Sequence, residues 1–192
     1  MRGIIRFMLA LFMWCNVAVT GVVASVTERT DITLSQGHIM HALDDAEFDV
    51  LLRRSQDRPV FMMVYASWCG HCKRMFRELN ALQQQYRERI DIAVISIDNS
   101  ESLAQNFASD VTPLHLDAYI MKNGASYHNI SQRLRDFGLH FKGGISKSIG
   151  VPYNTVFYQG EPVAEIAGAL YGDRLARLVA DIASNTGSTV SK

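Results

Sequence analysis

Between Val60 and Tyr65 the chain runs Val-Phe-Met-Met-Val-Tyr without a polar break, the pattern of a strand buried on both faces. Phe76, Leu79, Leu82 and Tyr86 then recur at helical spacing, with Arg74, Arg77, Glu78 and Gln85 on the other side, and predict a helix of about 17 residues. Ile90 to Ile97 reads as a second buried strand, ending at Asp98. Upstream, Ile39 to Leu43 is a short strand, and Asp44 or Asp45 caps a helix that carries Phe48, Leu51 and Leu52 on one face. Ser100 or Glu101 starts a helix through Phe107. The pattern is irregular from Val111 to Ile149, with a strand candidate at Leu116–Met121, a short helix at Ser131–Phe137, and loop-like patches at 122–126 and 142–144. Thr155–Tyr158, a turn at Gln159-Gly160-Glu161-Pro162 and Val163–Ala167 form a hairpin, followed by a helix bearing Leu175, Leu178, Val179 and Ile182. Alternating strands and helices closed by a hairpin and a helix make a mixed α/β sheet.

Candidate chemistry sits at the hinge between the first buried strand and its helix, in Trp68-Cys69-Gly70-His71-Cys72. Residues three apart on a first helical turn share a face, so two thiols there can close a small disulfide, or open it, with little backbone movement. Cys69 stands at the helix N-terminus, where unpaired N–H groups and the positive end of the macrodipole favour a thiolate. Cys72, on the buried side, is the resolving thiol. A zinc site would need a second ligand pair, which the chain lacks, and His38, His41, His115, His128 and His140 share no metal-ligand spacing.

Composition bounds the rest. A chain of 192 residues suits one domain with a full core. Lys+Arg and Asp+Glu are equal at 19 each, so no charge excess points to nucleic acid. Arg2 and Arg6 precede a mostly apolar stretch from Phe7 to Ala24, ending Val22-Val23-Ala24 before Ser25, which reads as a signal peptide over 1–24. An uncleaved membrane anchor is the alternative, and only then is the membrane a partner. Cleavage would remove Cys15 and leave Cys69 and Cys72 as the sole cysteines of an exported domain. Residues 25–37 are polar and aperiodic and read as a linker or frayed arm, with the domain at 38–186 and a disordered tail at 187–192.

Taken together, the strand into Trp-Cys-Gly-His-Cys-Lys, the strand ending Ile97-Asp98, and Gly150-Val151-Pro152 before a hairpin resemble the thioredoxin superfamily. The resemblance implies a thioredoxin fold: a mixed central sheet flanked by helices, with an insertion at about 111–149 before the cis-proline strand. It implies that Pro152 is the cis-proline beside the CxxC, with Gly160 eight residues on and Gly168-Ala169-Leu170 opening the last helix. Pro113 lies nearer the usual distance after Asp98, but its downstream spacing fits worse. In this family the backbone of the residue before that proline, Val151 here, pairs with a client strand by β-augmentation. Trp68, Gly70 and His71 fall where the family tunes the thiolate. Gly70-His71 resembles protein disulfide isomerase, and a His there stabilises the Cys69 thiolate and so makes the disulfide more oxidising. From a thioredoxin-like to an isomerase-like potential is roughly 90 mV, about 4 kcal/mol for two electrons.

Departures from the family are as informative. The acid that thioredoxins bury six residues before the first Cys is Met63 here, and the lysine near it falls on Val94. Arg77 stands where thioredoxin has a helix-kinking proline, and 54 positions separate Asp98 from Pro152. The resulting expectation is an exported, periplasmic thiol–disulfide oxidoreductase that needs no cofactor beyond its own disulfide. It leans toward oxidase or isomerase, with client proteins bearing thiols or disulfides and a redox partner that resets it. The alternatives are a periplasmic reductase of the cytochrome c maturation type, or a non-enzymatic copper-handling factor.

Overall fold

The computed structural model describes residues 31–33, 39–98, 104, 107, 110–111, 113–121, 132, 135 and 150–184. In chain order the elements are β1 (Asp31–Thr33), β2 (Ile39–Leu43), α1 (Asp45–Arg53), β3 (Val60–Tyr65), α2 (Gly70–Tyr86), β4 (Asp91–Ser96), β5 (Asp117–Met121), β6 (Tyr153–Tyr158), β7 (Glu161–Ala167) and α3 (Gly172–Ser184). The described strands form one mixed sheet in the order β1-β2-β5-β4-β3-β6-β7. β2, β5, β4 and β3 run parallel, while β1, β6 and β7 pair antiparallel to their neighbours.

Both apolar runs end up inside, as strands covered on two sides must. β3 and β4 are paired over their whole lengths, from Val60↔Asp91 to Tyr65↔Ser96. Alternate β3 residues feed two separate cores. Phe61, Met63 and Tyr65 look toward α2 and α3, where Phe76, Leu79, Leu175 and Val179 pack, while Val60, Met62 and Val64 look toward Phe48, Leu51 and Leu52 of α1. Asp44, not Asp45, caps α1 in a reciprocal capping box: Glu47 N donates to Asp44 Oδ1 (2.9 Å) and Asp44 N to Glu47 Oε2 (3.2 Å). The β6–β7 turn has positive φ at Gln159 (54°) and Gly160 (81°), the backbone that a two-residue hairpin needs to match strand twist.

Several expectations need correction. Asp31–Thr33, inside the segment read as a linker, pairs with β2 as an edge strand. Such pairing uses backbone groups alone, so side-chain periodicity does not announce it. The strand read at Leu116–Met121 forms as β5, but it is an interior strand seated between β2 and β4 and so part of the central sheet, not of an insertion. β6 starts at Tyr153, directly after Pro152, and α3 starts at Gly172, leaving Gly168-Ala169-Leu170 in the loop before it. Ala104 and Phe107 are helical and buried, within the helix read from Ser100 or Glu101 through Phe107, and Gln132, exposed, and Arg135, half-buried, are helical within the short helix read at 131–137. The leader over 1–24, the tail over 187–192 and the loop patches at 122–126 and 142–144 lie outside the described residues.

Candidate active site

β3 delivers the chain to the sheet edge, where Ala66-Ser67-Trp68 turns it into α2. That turn is tied down by Asp98, just past the end of β4. Asp98 accepts from Ser67 N through Oδ2 and from Ser67 Oγ through Oδ1, both at 2.9 Å, and Ser96 Oγ donates to Oδ2 at 2.7 Å. A buried carboxylate is tolerable because these donors replace the water it lost. Cys69 N donates to Ala66 O (3.1 Å), which tightens the turn further.

Cys69 is the N-cap of α2, its backbone extended (φ −88°, ψ 102°) and its sulfur accepting from Cys72 N at 3.1 Å. No acidic residue lies in the first turn of α2, so nothing opposes the positive end of the helix there. Cys69 and Cys72 are joined in a disulfide with Cα atoms 5.2 Å apart. The two sulfurs are not equivalent: Cys69 keeps 7% of its surface exposed, and Cys72 is wholly buried in the α2–α3 core. A thiolate or disulfide from outside can reach only the first of them.

The third component arrives from far along the chain. The Val151–Pro152 peptide bond is cis, Pro152 is buried, and Val151 O lies 3.7 Å from Cys69 Sγ. This loop is pinned by Gly168 N donating to Pro152 O (3.0 Å), and by Asn154 Nδ2 donating to Ile166 O (3.0 Å) and Gly168 O (2.9 Å). Trp68 stands at the rim with 74% of its surface exposed, and Gly70 is exposed beside it. Cys69, Cys72, Val151 and Pro152 are thus brought together, with Trp68 and Gly70 around them.

His71 is exposed on the first turn of α2, its Nδ1 2.7 Å from the hydroxyl of Tyr171, a residue sequence reading passed over. The contact spans 100 positions, and no motif marks Tyr171. Further along α2, Lys73 pairs with Asp110 (2.7 Å), with Arg77 more distant (3.7 Å). The Lys73 hydrogen bond, then its charge, holds the Asp110 carboxyl below its ordinary value.

Under the disulfide, Met63 and Val94 are directly paired across β3 and β4 and are both wholly buried in the core that holds Cys72. The site therefore has an apolar floor. Tyr65, at the end of β3, packs on Phe76 and Phe107 with ring centroids 5.8 and 4.4 Å away. Burial, reinforced by the charge of Asp98 and eased only in part by Ser96, drives its phenol above the ordinary tyrosine value. Among the described residues, no group of three or more His, Cys, Asp or Glu is placed to hold a metal ion, and no helix is long and apolar enough to cross a membrane.

A parallel core extended by an antiparallel hairpin, with a CxxC capping the helix after its central strand, defines a thioredoxin-fold protein. The thioredoxin family model matches residues 39–136, just over half of the chain, and the chain belongs to that family. The thiol:disulfide interchange protein TxlA of Synechococcus elongatus is 31% identical over 70 residues, 36% of this chain and 37% of that protein. Chloroplastic thioredoxin Y of Oryza sativa subsp. japonica is 27% identical over 122 residues, 64% of this chain and 60% of that one. The chain thus spans between about a third and three fifths of the lengths of these two curated relatives. Among solved structures, a thioredoxin-family thiol:disulfide interchange protein of Chlorobium tepidum superposes with a TM-score of 0.54 at 15% identity, covering 81% of this chain and 93% of that one. A secreted disulfide oxidoreductase of Mycobacterium tuberculosis gives 0.51 at 14% identity, covering 80% and 96%. At these identities the structural likeness is one of fold.

Proposed function

We propose that this protein is an exported thiol–disulfide oxidoreductase that exchanges disulfides with client proteins through Cys69 and Cys72, and that it acts chiefly as an oxidase or isomerase. The observation that carries the reading is the asymmetry of the pair: a disulfide capping a helix N-terminus, with one sulfur reachable beside Val151 O and the other buried.

A client thiolate attacks Cys69 Sγ, forming a client–Cys69 bond while the Cys69–Cys72 bond breaks and its electron pair leaves on Cys72. A second client thiolate then attacks the client sulfur of that mixed disulfide. The client disulfide forms and Cys69 departs as a thiolate. Two electrons and two protons pass from client to pair overall, and a separate redox partner must take them away. The helix terminus stabilises the Cys69 thiolate, His71 adds to this, and Trp68 and Gly70 shape the approach to it. Val151, ahead of Pro152, offers backbone groups to an extended client chain. An apolar floor of Met63 and Val94 supplies no acid–base group to Cys72, so proton transfer there runs through water or the neighbouring Cys69 thiolate.

Export rests on the leader-like 1–24 segment, with the redox domain over 38–186. The relatives named for thiol:disulfide interchange, and the secreted Mycobacterium tuberculosis protein, are consistent with this. The test is equilibration of the domain with glutathione, together with insulin-reduction and client-oxidation assays. A potential near the isomerase range, roughly −180 mV, with client oxidation is the expected result. A potential near roughly −270 mV with insulin reduction would make the protein a reductase. Bound copper with no turnover would remove it from the enzymes.

A further inference from the structure

Tyr171 belongs to the loop before α3, yet it meets the active-site helix at several points. His71 Nδ1 is 2.7 Å from its hydroxyl, and that hydroxyl in turn donates to His71 O at 3.3 Å. The phenol has one proton. If it is given to the His71 carbonyl, the hydrogen on the shorter contact must come from Nδ1, and the phenol oxygen accepts it. In that arrangement His71 carries a hydrogen on Nδ1, and in either sharing of the phenol proton the hydroxyl holds the ring and the backbone of the same residue.

The tyrosine is itself held from three directions. Arg74 stacks over its ring, the guanidinium carbon 4.2 Å from the centroid. Glu78 binds Arg74 Nε through one oxygen (3.1 Å) and accepts from Gly172 N through the other (2.7 Å), so the residue after Tyr171 is fixed to α2 as well. At the other end of the loop, Gly168 N donates to Pro152 O. The loop thus spans from the client-binding proline to the first turn of the CxxC helix. Gly172 has φ 53° and Gly168 φ 83°, which lets the chain make both turns without strain.

We propose that Tyr171 is a positioning residue for His71: it holds the imidazole in one place on the first turn of α2, two residues from Cys69, and so raises the stability of the Cys69 thiolate and the oxidising power of the disulfide. The proposal rests on the thiolate-tuning role given to His71 above. Among the described residues, these contacts place Tyr171, Arg74 with its partner Glu78, and the Cys69 sulfur once it is reduced as the titratable groups around the imidazole.

The decisive experiment is a double-mutant cycle of Tyr171→Phe and His71→Ala on the full chain. It reads the glutathione equilibrium constant and the pH at which Cys69 ionises, followed by thiolate absorbance. Phe keeps the ring under Arg74 and removes only the hydroxyl. Tyr171→Phe is expected to lower the oxidising equilibrium constant about threefold to tenfold, the worth of one exposed hydrogen bond, and to raise the ionisation midpoint of Cys69. In the His71→Ala background the same change is expected to have no effect. An unchanged constant in Tyr171→Phe alone, or an equal fall in both backgrounds, overturns the proposal, the latter because the tyrosine would then act through the loop and not through His71. Both readouts belong to the dithiol itself. A protein that turned over no client but showed the coupling would refute the proposed function and keep this inference.

Discussion

Met62 and Met63 are neighbours in β3, chemically identical and both wholly buried, yet they serve different cores. Met62 lies with Phe48, Leu51 and Leu52 on the α1 side, where nothing but packing is asked of it. Met63 lies with Cys72, paired to Val94, on the side that carries the disulfide. The α1 side is a core that any well-fitting apolar set could fill. The α2–α3 side is as fully buried but is topped by an N-capping sulfur, a clamped carboxylate and a cis-proline loop. One strand thus fills the α1-side core with one row of side chains and underlies the disulfide with the other, because alternation sends successive residues to opposite faces.

The sharpest way to break this division is to remove one group on each side. Cys69→Ser is expected to cut client exchange on the order of a thousandfold or more while leaving the fold intact, measured by mixed-disulfide trapping and turnover. Met62→Ala is expected to cost about 3 kcal/mol in denaturant unfolding, within the usual range for a buried methionine, and to leave the glutathione equilibrium unchanged. A shifted potential in Met62→Ala would mean that the two faces are coupled and the division is false.

A subtler change sharpens the comparison from the redox side. Met63→Glu places a carboxyl beneath Cys72, where burial raises its pKa and makes it a proton acceptor near neutrality. Exchange measured by stopped flow is expected to rise on the order of tenfold, below the full worth of a well-placed general base. An unchanged or slower rate would show that the apolar floor does not limit proton transfer.

The smallest effect concerns Tyr65 on the same face. Its folded pKa is raised above the unfolded value of 10.0. Its contribution is therefore present in full below pH 10 and is lost as pH rises beyond it, because the unfolded chain ionises first. Tyr65→Phe should lose less stability than the parent between pH 8 and about pH 11, by no more than about 1.5 kcal/mol. Part of the alkaline decline should remain, since Tyr153, buried and near Glu165, is shifted in the same direction. Identical alkaline profiles would place the titrating group elsewhere.

Much of this was legible in the chain because the informative signals were local. The run Val60–Tyr65, the stripe Phe76-Leu79-Leu82-Tyr86 and the CxxC between them are each contained in a few residues. The expected apolar pair at 63 and 94 became an actual cross-strand contact, since it followed from two strands whose own patterns were strong. β1 and β5 were harder. An edge strand of three residues has no period to read, and although the apolar run at 116–121 was read as a strand, nothing local says that it sits inside the sheet between β2 and β4.

By itself the sequence determined most of the elements, the two thiols and their spacing, and which of them would stand at a helix terminus. Local periodicity and capping chemistry need only neighbouring residues. Tertiary structure decided what surrounds the pair: Asp98 clamping Ser67, Val151 O beside Cys69, and Tyr171 on His71. These contacts join segments between 31 and 100 positions apart, and only the packing of the sheet and its helices brings them within hydrogen-bonding reach.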